Sequence, residues 1–148
     1  MERLYEYMNR QLKSVNDEFH RYMYDKINWN NRMIGLVGPR GVGKTTLFLQ
    51  RIKEHHSSAD TLYVSAEHMY FARHSLYGLA EEFFKNGGKY LFIDEVHKYE
   101  GWSRELKLMY DSLPGLHVYF TGSSVLDIEK GEADLSRRAP KDLMQGMS

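Results

Sequence analysis

Met33-Ile34-Gly35-Leu36-Val37 runs directly into Gly38-Pro39-Arg40-Gly41-Val42-Gly43-Lys44-Thr45, and Leu47, Phe48 and Ile52 follow at helical spacing. A short apolar run, a turn of the form G-x-x-x-x-G-K-S/T and an apolar-periodic helix are the three parts of one anion-binding device. The glycines let the chain curl so that successive N–H groups point inward at phosphate oxygens. The helix that follows aims the positive end of its dipole at the same place. Lys44 adds a mobile cation for the outer phosphates, Thr45 a hydroxyl able to ligate Mg²⁺, and Thr46 a further backbone or side-chain partner. The candidate phosphate-binding residues are Gly38, Pro39, Arg40, Gly41, Val42, Gly43, Lys44, Thr45 and Thr46. A dinucleotide loop of the form G-x-G-x-x-G is rejected, because Gly41-Val42-Gly43 is followed by Lys44-Thr45-Thr46 without the third glycine.

Downstream, Tyr90-Leu91-Phe92-Ile93-Asp94-Glu95 is an apolar run closed by two acids. Adjacent carboxylates at the end of a buried strand are costly unless they act there. Beside a phosphate loop, Asp94 is the residue to hold Mg²⁺, and Glu95 the one to orient or deprotonate a water attacking a terminal phosphate. The fifty residues from Lys44 to Asp94 leave room for a helix, a strand and a helix. The expectation is that a strand is inserted between the loop strand and the acid strand, as in the hydrolytic branch of such folds.

The remaining elements alternate in type. Residues 61–65 are β-rich. Leu76, Leu79, Ala80, Phe83 and Phe84 keep helical spacing up to the stop at Asn86-Gly87-Gly88. Leu106, Met109, Tyr110 and Leu113 form another helix, halted by Pro114-Gly115, and 117–121 is a fourth strand. This order predicts a mainly parallel sheet covered by helices on both faces, a three-layer α/β/α fold. Ahead of it, Leu4, Met8, Leu12, Val15, Phe19 and Tyr22 predict an amphipathic helix over 1–26, packed against the domain and ended by Asn28-Trp29-Asn30-Asn31. A last short strand is expected at 141–144.

A chain of 148 residues and 17.4 kDa holds one modest domain and can bury a core without staples. It divides into an N-terminal helix and turn (1–31), a nucleotide-binding core (32–125) and a tail (126–148). Twenty Lys and Arg balance twenty Asp and Glu, so net charge makes no case for nucleic acid or an anionic membrane as the main partner, while leaving room for a local patch. With no cysteine, disulfides, zinc ribbons and thiol nucleophiles are excluded. Seven histidines show no tight ligand spacing. The N-terminus lacks the apolar run of a signal peptide, and no stretch approaches the ~20 residues needed to span a bilayer. A cytoplasmic location is expected.

On these motifs the chain resembles an ATPase of the AAA superfamily. More narrowly, it is similar to the AAA domain of prokaryotic ATPases that carry a C-terminal domain of unknown function. The resemblance rests on 38–46, on Leu91-Phe92-Ile93-Asp94-Glu95-Val96-His97-Lys98, on Trp102 with the helix after it, on Phe120-Thr121-Gly122-Ser123-Ser124, and on 131–139. It implies a phosphate-loop NTPase fold, ATP and Mg²⁺ as ligands, and hydrolysis coupled to a conformational change. It makes Thr121 or Ser123 the sensor-like position, although the asparagine common at that sensor is absent. It makes Arg137 or Arg138 the arginine that reaches a nucleotide, in its own subunit or across a homo-oligomeric contact. The hydroxyls after the fourth strand also suit an N-cap for 125–129, and the arginines also suit a solvated surface. Relatives continue into a lid and a further domain, so the chain is expected to be a fragment, a natural truncation or a minimal relative.

Three functions compete. The leading one is an ATP hydrolase in which Lys44 and the loop amides bind phosphates, Thr45 and Asp94 hold Mg²⁺, and Glu95 activates water. The second is a nucleotide-gated module in which occupancy rather than turnover matters. The third is a small phosphate-loop kinase, which would gain nothing from an acid that activates water. The guanine-selecting Asn-Lys-x-Asp motif is missing, which favours adenine.

Overall fold

Strand backbone must hand its N–H and C=O groups to neighbours, and among the described residues five short strands do so in one parallel sheet of order β2-β3-β4-β1-β5. The computed structural model describes residues 1–15, 27–38 and 43–122, together with the backbone of 141–143. In chain order the elements are α1 (Glu2–Ser14), β1 (Met33–Val37), α2 (Lys44–His55), β2 (Thr61–Ser65), α3 (Leu76–Lys85), β3 (Tyr90–Asp94), α4 (Trp102–Ser112), β4 (His117–Gly122) and β5 (Lys141–Leu143). Short 3₁₀ turns occupy Met69–Ala72 and Val96–Lys98. The parallel registers pair Met33 with Val118, Thr61 with Tyr90, Tyr90 with His117 and Gly35 with Lys141.

The strands read as continuous apolar runs because both faces are covered, yet their side chains still alternate. Leu62, Val64, Leu91, Ile93, Val118 and Phe120 pack toward α3 and α4. Tyr63, Phe92, Tyr119, Ile34 and Leu36 pack toward Leu47, Phe48 and Ile52 of α2. These two apolar layers on either side of one sheet are the predicted three-layer α/β/α arrangement.

Local chemistry sets the helix ends. Ser75 Oγ accepts the N–H of Gly78 at 2.9 Å and caps α3. At its other end Gly87 has φ +95°, and the Gly88 and Gly87 N–H groups donate to the carbonyls of Phe83 (2.8 Å) and Phe84 (3.1 Å). That pair of bonds requires a left-handed residue, which the stop signal Asn86-Gly87-Gly88 supplies. Arg32 closes α4: its Nη2 donates to the carbonyls of Tyr110 (2.8 Å) and Leu113 (3.2 Å), with the guanidinium 4.1 Å from the Tyr110 ring centre.

Two expectations are corrected. The N-terminal helix stops at Ser14, not near 26. Val15 is extended (φ −84°, ψ 141°), and the Ser14 hydroxyl donates to the carbonyl of Gln11 at 2.8 Å, a local bond that competes with further helix. The rest of the predicted helix, 16–26, lies outside the described residues. The second correction concerns which strand is inserted. The strand that intervenes in sequence, β2, sits at the sheet's edge beyond β3, and it is β4 that separates β1 from β3. The inserted strand is therefore the one carrying Thr121.

α1 packs beside β2. Its Leu4 belongs to the apolar layer under α3 and α4, its Met8 to the layer under α2. A helix contributing to both layers passes along the sheet's edge and shields the β2 side of it.

Candidate nucleotide site

At the C-terminal ends of β1, β2, β3 and β4, where open parallel sheets bind ligands, the motif residues converge. A cleft of about 530 Å³ is lined by Gly43, Lys44, Thr45 and Thr46 on one side and by Asp94 and Glu95 on the other. Tyr63, Ser65 and Glu67 from β2 and the turn after it, and Tyr7 and Gln11 from α1, complete its wall. Two larger clefts, of about 630 and 640 Å³, flank the turn Met69–Ala72 and include neither Lys44 nor the acids.

Gly43 has φ +89° and stands at the N-cap of α2 with no side chain capping the helix. The start of α2 therefore borders the cleft, and a helix N-terminus is a place where backbone N–H groups meet anions. Lys44 is 4% exposed, and its Nζ donates to the carbonyl of Gly38 at 2.9 Å. Burial lowers its pKa, while the charges of Glu95 and Asp94 oppose that shift.

Asp94 is buried and accepts hydroxyl hydrogens from three elements. Thr45 Oγ1 at the start of α2 (2.5 Å) and the Tyr63 hydroxyl on β2 (2.6 Å) both reach Oδ2, and Thr121 Oγ1 on β4 reaches Oδ1. Burial, with Asp94 next in effect, pushes the Tyr63 phenol far above its usual pKa, so it remains a proton donor. Thr121 also accepts the Glu95 N–H at 2.8 Å. Among the described residues Glu95 alone of the non-glycines has a positive φ, 56° with ψ 45°. That conformation costs about 1–2 kcal/mol and aims the amide at Thr121. Its carboxylate Oε2 lies 3.6 Å from Nε2 of the well-buried His97.

Anionic and neutral oxygens side by side, Asp94 and Thr45, form a hard donor set of the kind Mg²⁺ takes. Next to them stand an ammonium group and the N-terminus of α2, the complement of a polyphosphate. The residues fit a magnesium nucleotide.

A family model described as AAA domain matches residues 30–148. The chain belongs to the AAA domain family. Solved structures agree on the fold. The Walker-type ATPase paby2304 of Pyrococcus abyssi is 16% identical, with a TM-score of 0.58 over 86% of this chain and 53% of that one. The Saccharomyces cerevisiae Hsp104–ADP complex is 17% identical, with a TM-score of 0.55 over 97% of this chain and 22% of that one. A structure described as the basis for katanin self-assembly is 17% identical, with a TM-score of 0.55 over 95% of this chain and 50% of that one. This AAA domain thus spans about half the length of the first of these structures. No curated protein matches the sequence. Family and fold together support an ATP-binding, ATPase-type function.

Of the residues named from sequence, this AAA domain brings Gly43, Lys44, Thr45, Thr46, Asp94 and Glu95 to one cleft, with Thr121 directly behind the acids. Pro39, Arg40, Gly41, Val42, Ser123, Arg137 and Arg138 lie outside the described residues. Trp102 packs in the core against Phe120, ring centres 6.2 Å apart. Among the described residues no helix is long and apolar enough to cross a membrane. Sequence reasoning missed Tyr63, Tyr7 and Gln11. In Thr61-Leu62-Tyr63-Val64-Ser65 a tyrosine reads only as a β-former, and no local pattern signals that its hydroxyl meets an acid 31 positions on.

Proposed function

We propose that this domain binds Mg²⁺–ATP in the cleft between α2 and β3 and hydrolyses it. The observation that carries the reading is the placement of Lys44, Thr45, Asp94 and Glu95 around one cleft at the C-terminal edge of the sheet. Lys44 and the amides at the start of α2 bind the phosphates. Thr45 and Asp94 hold the cation, which when bound offsets phosphate charge. Glu95, part-exposed at the cleft beside Asp94, takes a proton from the attacking water. In the same proposal Arg137 or Arg138 reaches a nucleotide, in its own subunit or a neighbour's, and hydrolysis is coupled to a change of shape. Self-assembly, the subject of the katanin structure, enters for this chain on the same footing.

Calorimetry with millimolar ATP and MgCl₂ on folded protein tests the binding, and phosphate release tests the turnover. Saturable heat is expected from the wild type and none from Lys44→Ala. Absence of heat from the wild type would end the nucleotide reading. Bound ATP that stays intact for hours would replace hydrolysis with occupancy-gated binding.

A further inference from the structure

Tyr63 contributes nothing to the phosphate-loop or acid-pair motifs, yet its hydroxyl is one of only two groups that bond Asp94 Oδ2 among the described residues, the other being Thr45. A carboxylate oxygen has two in-plane lone-pair directions, so these two hydroxyls and Thr121 on Oδ1 fix the plane of the carboxyl group. The roles divide by chemistry. Thr45 sits on the phosphate-loop helix, and its oxygen has lone pairs left for a cation while its hydrogen goes to Asp94. Tyr63 is buried in β2, 1% exposed, and reaches Asp94 from the strand that pairs with β3.

The ring of Tyr63 is itself held by α1. Tyr7 stacks on it with ring centres 6.1 Å apart and planes 8° from parallel, and Tyr7 meets the edge of His68 at 5.3 Å. Met8, the next residue of α1, is fully buried in the same apolar layer as Tyr63. Any displacement of α1 along the sheet edge is therefore felt at the Tyr63 ring.

We propose that Tyr63 is the positioning residue for the cation-holding carboxylate, and that the N-terminal helix, through Tyr7, sets the cation affinity of its own subunit's site. The proposal rests on the magnesium nucleotide reading above. It assigns α1 a part in the site beyond covering the sheet edge.

The test uses the full chain. ATP binding is followed by calorimetry across a series of Mg²⁺ concentrations and again in EDTA, with thermal melting alongside. Tyr63→Phe keeps the ring and removes the hydroxyl. It is expected to raise the Mg²⁺ concentration for half-maximal enhancement of ATP binding about tenfold, with ATP affinity in EDTA unchanged within about twofold. Tyr7→Leu keeps apolar bulk and removes the stack, and shifts the Mg²⁺ midpoint in the same direction by a smaller factor. Should Tyr63→Phe fail to fold, the Tyr7→Leu midpoint alone decides. A lower melting temperature with an unmoved Mg²⁺ midpoint would mean that Tyr63 only packs, and overturns this inference while leaving the nucleotide reading intact. A wild-type chain without magnesium-dependent ATP binding overturns both.

Discussion

Thr121 bonds Asp94 through its hydroxyl hydrogen while its hydroxyl oxygen receives the N–H of Glu95, so one side chain on β4 holds both acids at the end of β3. The strand that lies between β1 and β3 is thus also the one that orients the acid pair. Thr121→Val keeps the shape and removes both bonds. It leaves a buried amide and a buried carboxylate oxygen each short of a partner, at a cost of about 2–4 kcal/mol of stability by urea titration. Thr121→Ser should restore most of it. A valine variant as stable as the wild type would show that the hydroxyl is dispensable.

Glu95 lines the cleft beside Asp94 and is part-exposed, and it is the acid assigned to the water. Glu95→Gln preserves shape and hydrogen-bonding reach but cannot take a proton. ATP affinity should stay within about twofold, while turnover falls roughly a hundredfold or more. Equal phosphate release by the two proteins would withdraw the assignment.

His56 follows α2, edge-on to Tyr90 at 4.6 Å and to Phe92 at 5.4 Å. Burial first, then the nearby Arg51, lower its pKa from 6.5 to about 4, against the opposing pull of Asp60 and with smaller contributions from His55 and His117. The unfolded chain therefore binds the proton more readily than the folded one. The stability this represents is complete above pH 6.5, declines as the pH falls toward 4 and levels off below that. The loss should be about 2 kcal/mol after allowance for solvent screening. His117, also lowered by burial, adds in the same sense. Urea titrations at pH 7.5, 6 and 5 should show the decline, and His56→Phe should flatten it. An unchanged slope in that variant would locate the effect elsewhere.

Gly87 offers a cleaner backbone test, because a Cβ there meets no atom within 4 Å and its φ is +95°. Gly87→Ala can act only through conformational strain, and about 1–2 kcal/mol of stability should be lost. A neutral substitution would mean that α3 ends in another way in solution.

Much of this was readable from residue order. Each apolar run of the core became a strand and each apolar-periodic segment a helix, because tight turns such as Asn86-Gly87-Gly88 and Pro114-Gly115 leave the chain little choice between them. The motif residues Lys44, Thr45, Asp94 and Glu95 were legible since their chemistry demands fixed spacing within a strand–turn–helix or at a strand end. What escaped was lateral. Parallel strands covered on both faces carry no mark of their neighbours, so the edge position of β2 and the insertion of β4 could not be inferred from the 50 residues between Lys44 and Asp94. Helical periodicity in α1 shows that Leu4 and Met8 are buried without saying against what, and so hid the contact of Tyr7 with the cleft.

The pairing of β1 with β4 and β5 has a consequence for biosynthesis. Among the described residues, the strand leading into the phosphate loop has no ladder partner before residue 117. At typical elongation rates the ribosome needs roughly 4–16 s to make the 80 residues from Val37 to His117. Through that interval Met33–Val37 is an apolar segment whose ladder partners are not yet made, a stretch open to wrong association during synthesis.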